Sequence, residues 1–206
     1  MTNYHISLFP DGIYHVLSRA VGDELLFREE ENYRFFLQRY IKYISPIADT
    51  FAFTLMPNHF HFIIRIKNET VIQAHYKEKK PNKECKTESI PDFIMEQFSN
   101  FLNSYTKSLN KRYARKGALF MDYLRRVEVK TDLQFGATIF YIHKNPVHHG
   151  YVKTIADWHW SSFKIFLSIS PTMLCRNEVL NWFGGKEQFI YYHEQPVYLK
   201  NAAELE

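Results

Sequence analysis

Thr50-Phe51-Ala52-Phe53-Thr54-Leu55-Met56, then Pro57-Asn58, then His59-Phe60-His61-Phe62-Ile63-Ile64-Arg65-Ile66 is the stretch on which the fold turns. Two runs rich in β-branched and aromatic residues flank a two-residue break, which predicts an antiparallel hairpin. Side chains alternate across a strand, so His59, His61, Ile63 and Arg65 share one face and Phe60, Phe62, Ile64 and Ile66 the other. The Phe/Ile face is a core face. The opposite face carries two imidazoles two residues apart, with Cα atoms separated by roughly 6.5–7 Å. That spacing suits two ligands of one divalent ion. A histidine on an apolar strand also reads as a packing residue with its hydrogen bonds satisfied internally, and the residues alone leave both readings open.

Working outward, Ile13 to Ala20 reads as a first strand ending at Gly22. From Arg28 to Ile44 the residues Tyr33, Phe36, Leu37, Tyr40, Ile41 and Ile44 recur at three and four, behind an acidic start, which predicts an amphipathic helix. Residues 67–90 are polar and charged and read as a loop. Ser89-Ile90-Pro91-Asp92 resembles a capping box opening a second long helix, with Phe93, Phe98, Phe101, Tyr105 and Leu109 on one face and Asn100, Asn103, Lys107 and Lys111 on the other. A further extended stretch runs from Leu124 to Val129. Thr131 to Gln134 resembles another capping box, and the helix it opens is expected to stop near Asn145, because Pro146 has no N–H to continue it. The order βαββαβ plus a helix predicts an α+β fold, a ferredoxin-like antiparallel sheet. Beyond Gly150 the chain is aromatic-rich (Trp158, Trp160, Phe163, Phe166, Trp182, Phe183), which predicts a helical extension over 151–206 packed on the domain formed by 1–150. Ala202 to Glu206 reads as a tail.

The chain has 206 residues, 46% of them hydrophobic and 17% aromatic, enough to bury a core without covalent staples. Its two cysteines, Cys85 and Cys175, have no CxxC spacing, which excludes a disulfide framework or a cysteine zinc site and favours a reducing, cytoplasmic setting. The longest uncharged run, Thr50 to Ile64, contains Pro57, Asn58 and two histidines, too short and polar to span a bilayer, and Met1 to Ser18 has no basic segment of the signal-peptide kind. A membrane partner is therefore not expected. The net charge is +4, but residues 74–130 hold 13 of the 26 Lys/Arg and only 7 of the 22 Asp/Glu, net +6 against −2 for the rest. A phosphate-attracting region and a solvated lysine-rich loop both fit that distribution.

In the last of these helices Leu133, Ala137, Tyr141 and Asn145 form one stripe. Laid on the histidine face, it would bring a phenol and an amide beside the pair; as bare sequence it reads equally as an amphipathic core stripe ending before a proline.

Taken together the segments resemble a known family. Met56-Pro57-Asn58-His59-Phe60-His61-Phe62-Ile63-Ile64 is similar to the His-hydrophobic-His (HUH) motif of the single-tyrosine (Y1) transposases of the IS200/IS605 type. Phe140-Tyr141-Ile142-His143-Lys144-Asn145-Pro146-Val147, followed by His148-His149-Gly150-Tyr151-Val152, resembles the tyrosine helix of their REP-associated branch, and Gln97 to Lys107 and Asp157 to Ser162 are similar to that branch too. The resemblance runs in order over roughly residues 12–190. It implies His59, His61 and Asn145 as ligands of a divalent metal, Mg²⁺ or Mn²⁺, with Tyr141 as nucleophile, in single-stranded DNA cleavage and rejoining through a 5′-phosphotyrosine link. The expected partner is single-stranded or hairpin DNA. Arg125, Arg126, Lys107, Lys111, Arg112, Arg115 and Lys116 are the candidate DNA contacts, and His148 and His149 read either as phosphate neighbours or as exposed loop residues. Two other classes fit the same residues: a hairpin-binding protein without catalysis, and a phosphodiesterase that uses water. A homodimer is expected from the open edges of a split βαβ sheet, unless the aromatic extension covers one.

Overall fold

Residues 5–121 and 124–195 are described in the computed structural model; the expected tail from Ala202 to Glu206 and the first residues of the Met1–Ser18 segment lie outside the described residues. Strands β1 (Ile13–Arg19), β2 (Ala48–Met56), β3 (His59–Ile66) and β4 (Arg125–Glu128) form one sheet in the order β2-β3-β1-β4, every neighbouring pair antiparallel. That order is the one a split βαβ unit requires, and the hairpin closes with Met56 opposite His59, so Pro57-Asn58 is a two-residue turn. The turn is held by its surroundings: Pro57 O accepts from Leu26 N and Phe27 N, and Asn58 O from Ala20 N.

The period-two alternation of β3 sorts the two layers. Phe60, Phe62, Ile64 and Ile66 enter a core with α1 (Glu30–Tyr43) and, beyond a short 3₁₀ turn, the long helix Ile90–Arg112. There Tyr40 stacks on Phe62 at 4.2 Å and Phe36 lies 4.7 Å from Phe101. Ile63 faces the other way, into a second core formed by the helix Asp132–His148 and the extension. A β-bulge at Thr50/Ala52 turns both Phe51 and Ala52 to that side.

Three local expectations are corrected. Residues 67–90 are not all loop: α2 (Glu69–Lys79) forms there, Asn68 Oδ1 accepting from Val71 N, and buries Ile72, His75 and Tyr76 against the next helix. With a 3₁₀ turn (Thr87–Ser89) leading directly into α3 (Ile90–Arg112), Ser89 is already helical, and its hydroxyl donates back to Lys86 O instead of capping. Pro146 does not stop α4 (Asp132–His148), which runs two residues past it. A proline there forfeits only the bond its N–H would make to Ile142 O; His149 N still bonds Asn145 O at 3.0 Å, and Pro146 is buried. At the other end of α4, Thr131 Oγ1 accepts from Gln134 N as expected, while Gln134 Oε1 reaches past the cap to Lys130 N.

The extension contains α5 (Phe163–Leu167), α6 (Arg176–Trp182) and α7 (Lys186–Glu194), and it packs on the same sheet. It also runs along the free side of β2. Leu55 N donates to Trp160 O, Ser162 N to Phe53 O and Cys175 N to Thr50 O, with bridges at Thr54–Ser161 and Thr50–Leu174. On the opposite edge, four-residue β4 bridges His5 at Arg126. The β2 edge is thus engaged by the extension within one chain, while β4 meets a single bridge at His5.

Candidate active site

β3 sets His59 and His61 on the α4 side of the sheet. Phe135, Ile139 and Ile142 of α4 pack into the core around Phe51 and Ile63, and that fixes the helix's rotation. Tyr141 and Asn145, one turn apart, then come over the histidines. Asn145 Oδ1 lies 3.0 Å from His59 Nε2, and the Tyr141 ring stands edge-on to His61 at 5.5 Å. Tyr141 is 1% exposed and Asn145 fully buried. The stripe is shorter than its sequence suggests, because Leu133 at its start is exposed.

The proton inventory around His59 is one short. Its Nδ1 is 2.7 Å from Asn58 Oδ1, while Nε2 faces Asn145 Oδ1. Burial, the largest influence, pushes the His59 pKa down to about 4, so at neutral pH the ring carries one N–H and faces two carbonyl oxygens. With that N–H committed to Asn58, the nearer oxygen, Nε2 and Asn145 Oδ1 meet lone pair to lone pair. A cation relieves that contact. His61, also held neutral by burial, has a buried Nε2 with no hydrogen-bond partner among the described residues. His59, His61 and Asn145 therefore fit a divalent metal; among the described residues no group of three His, Cys, Asp or Glu forms an alternative. The two imidazoles suit Mn²⁺ better than Mg²⁺.

Beside these residues lies a cavity of about 290 Å³ whose polar lining includes Arg19, Asn58, His59, His61, Arg125 and His149. Tyr151, 47% exposed, lines it as well. The His149 ring is 5.1 Å from His59, and His148 is exposed. Sequence reasoning did not single out Arg19, Asn58 or His15. His15 of β1 is fully buried, its Nε2 3.0 Å from His61 Nδ1 and its ring stacked at 5.1 Å on His61. The signal was present: Ile13, His15, Leu17 and Arg19 alternate as His59 and His61 do, and β1 is the neighbour of β3.

The candidate DNA contacts separate. Arg125 lines the cavity with Leu17, its partner in register. Arg126, one residue on, points through the sheet to α3, where Nη1 meets Met95 Sδ at 2.9 Å, so it is not at this site. Arg115 is structural: it bonds Glu24 Oε1, Asn110 Oδ1 and Ala118 O and is almost buried. Arg112 pairs with Glu29 at 2.7 Å. Lys107, Lys111 and Lys116 are exposed at the end of α3 and just beyond it. The lysines of 77–86 divide likewise, Lys79 pairing with Glu78 and Lys80 with Glu96.

No family model matches the chain. A provisionally named REP-associated tyrosine transposase of Haemophilus influenzae is 25% identical over 118 residues, 56% of this chain and 58% of that protein. The solved structure of a REP-associated tyrosine transposase bound to a REP hairpin superposes with a TM-score of 0.57, at 17% identity, over 83% of this chain and 89% of that one. The chain is thus similar in sequence to one transposase of this kind and shares its fold with another. The chain spans a little over half the length of the Haemophilus transposase, so the likeness to the hairpin-bound transposase carries the fold over a wider stretch than the sequence match does. Among the described residues no helix is long and apolar enough to cross a membrane.

Proposed function

We propose that this protein cleaves and rejoins single-stranded DNA beside hairpins, as a REP-associated Y1 transposase, through a 5′-phosphotyrosine on Tyr141. The observation that carries the reading is the junction of β3 and α4: His59 Nε2 against Asn145 Oδ1 at 3.0 Å, with the Tyr141 ring edge-on to His61. His59, His61 and Asn145 would hold the divalent metal, which when bound neutralises charge on the scissile phosphate and makes phosphorus more electrophilic.

The chain's own residues do the rest. Arg19 and Arg125 in the cavity lining attract the backbone phosphate and orient it. Burial keeps His59 and His61 neutral, so neither has to lose a proton before acting as a ligand. Tyr141 Oη forms a bond to phosphorus while the bond to the 3′-oxygen breaks; the phenolic proton departs, and the 3′-oxygen takes one up. A phenol has a pKa near 10, so the attack depends on the positive surroundings of the phosphate. Because the phosphodiester is exchanged for a phosphotyrosyl ester, a second 3′-hydroxyl can reverse the step without an energy source.

The test is incubation with end-labelled hairpin DNA and Mn²⁺, followed by denaturing electrophoresis. A covalent adduct that Tyr141→Phe abolishes, with hairpin affinity kept within about twofold, supports the proposal. Free cleaved DNA without adduct indicates hydrolysis by water, and bound but uncut DNA indicates a binding protein; either result overturns it.

A further inference from the structure

We infer that His15 is a positioning residue for the metal site: it accepts a hydrogen bond from His61 Nδ1–H and so holds His61 with its Nε2 lone pair turned to the metal. The inference rests on the reading of His59, His61 and Asn145 as ligands.

The geometry on which it stands is independent of that reading. His15 and His61 sit on adjacent antiparallel strands and are diagonal neighbours two residues out of register, since His61 lies opposite Leu17 and His15 opposite Ile63. Their rings are within 20° of parallel, and His15 Nε2 is 3.0 Å from His61 Nδ1, so the two imidazoles are joined by a single hydrogen bond. Both are buried, at 0% and 1% exposure. A bond between two neutral imidazoles has one proton in it, and that proton belongs to one ring or the other. If it belongs to His15, His61 must carry its own proton on Nε2 and has no lone pair for a metal. If it belongs to His61, Nε2 is bare and His15 carries its proton on Nδ1.

The second arrangement has a visible cost, which is the reason to assign it a purpose. His15 Nδ1 is buried with no hydrogen-bond partner among the described residues, so its N–H is left unsatisfied between the apolar neighbours Val16 and Leu17 on its strand. A leucine or phenylalanine would fill that place without an orphaned donor. What only an acceptor at this position supplies is a fixed tautomer for His61. Ligating histidines are ordinarily held this way, by a group that accepts from the ring nitrogen facing away from the metal. Here an imidazole of the neighbouring strand occupies the place usually taken by a carboxylate or a backbone carbonyl. His59 is held in the same sense by Asn58 Oδ1, 2.7 Å from its Nδ1, so each histidine of the pair has its own partner behind it.

Mn²⁺ titration of the full-length parent, His15→Leu and His15→Gln tests the assignment, with thermal unfolding of each variant as a check on folding. The glutamine side chain can place an amide oxygen near the position of His15 Nε2, whereas leucine offers no acceptor. Leucine should weaken Mn²⁺ binding by about 10- to 100-fold, and glutamine should recover most of that loss. Long-range ¹H–¹⁵N spectra of the Mg²⁺-loaded parent should show the His61 proton on Nδ1. Parent-like Mn²⁺ affinity in a folded His15→Leu overturns the role of His15 and leaves the ligand assignment standing, whereas a His61 proton on Nε2 in the loaded parent overturns both the role of His15 and His61 as a ligand through Nε2. A parent that binds no Mn²⁺ overturns the ligand assignment itself and the inference with it.

Discussion

Two histidine clusters touch α4, one at the cavity and one behind it, and they are built on opposite principles. In the rear cluster every proton is placed. His193 Nδ1 donates to Phe189 O at 2.7 Å, so its Nε2 accepts from His143 Nδ1 at 2.9 Å. His143 Nε2 accepts from Ser162 Oγ at 2.8 Å, and Ser162 Oγ accepts from Phe53 N at 2.9 Å. The chain of bonds ties β2, α4, the extension and α7 together and leaves no atom over. The cavity cluster is open: among the described residues His15 Nδ1, His61 Nε2 and Asn145 Nδ2 have no hydrogen-bond partner. A closed network reports a structural job, and an open one of equal burial reports a site that awaits something. Within the single segment Tyr141 to Asn145 the chain serves both, since His143 points into the closed cluster and Tyr141 and Asn145 into the open one.

The largest effect separates the clusters by function. His59→Ala/His61→Ala should lose Mn²⁺ binding by more than the roughly 100-fold that an outer partner accounts for, while the folded chain melts at a lower temperature because the His61 ring leaves a cavity and His15 Nε2 loses its partner. Titration followed by a melting curve checks both halves; parent-like Mn²⁺ affinity would reassign the site.

The comparison also shows what a sequence can and cannot convey. β3 is legible to the residue because its alternation is local, and the approach of Tyr141 and Asn145 to the histidines follows from one helical stripe laid on one strand face. α2 was hidden because only Ile72, His75 and Tyr76 are buried in eleven residues, too short an apolar signal among so many charges. Arg125 and Arg126 look like one basic pair, yet strand alternation sends them to opposite faces of the sheet. The closed cluster joins residues up to 109 positions apart through the fold of the extension, and no local pattern announces it.

Next in size, His143→Ala should destabilise the fold by about 3–5 kcal/mol, from the cavity left and from the stranded Ser162 and His193 groups. Denaturant titration measures it, and Mn²⁺ affinity of the folded fraction should not change. A loss below 1 kcal/mol, on the order of an exposed substitution, would show that the closed cluster is not a structural tie.

The smallest effect is in pH. Burial holds His193 down to about 4 and His143 well below its ordinary value, so both are neutral in the folded chain, while the unfolded chain takes up protons below about pH 6.5. Their contribution to stability is therefore complete above pH 6.5 and is lost progressively as the pH falls towards 4. Melting temperatures between those limits should fall less steeply for His193→Gln than for the parent, and parallel curves would remove the pair from the acid response.

The choice of nucleophile is the most exposed, because two phenols stand near the proposed metal ligands: Tyr141, buried on α4, and Tyr151, accessible in the cavity lining. Trapping the covalent adduct of the parent protein with hairpin DNA and Mn²⁺, then mapping the nucleotide-bearing peptide by mass spectrometry, decides between them. The phosphotyrosine is expected on the peptide carrying Tyr141; its appearance on Tyr151, or a cleaved strand with no adduct on either, would contradict the site as assembled here.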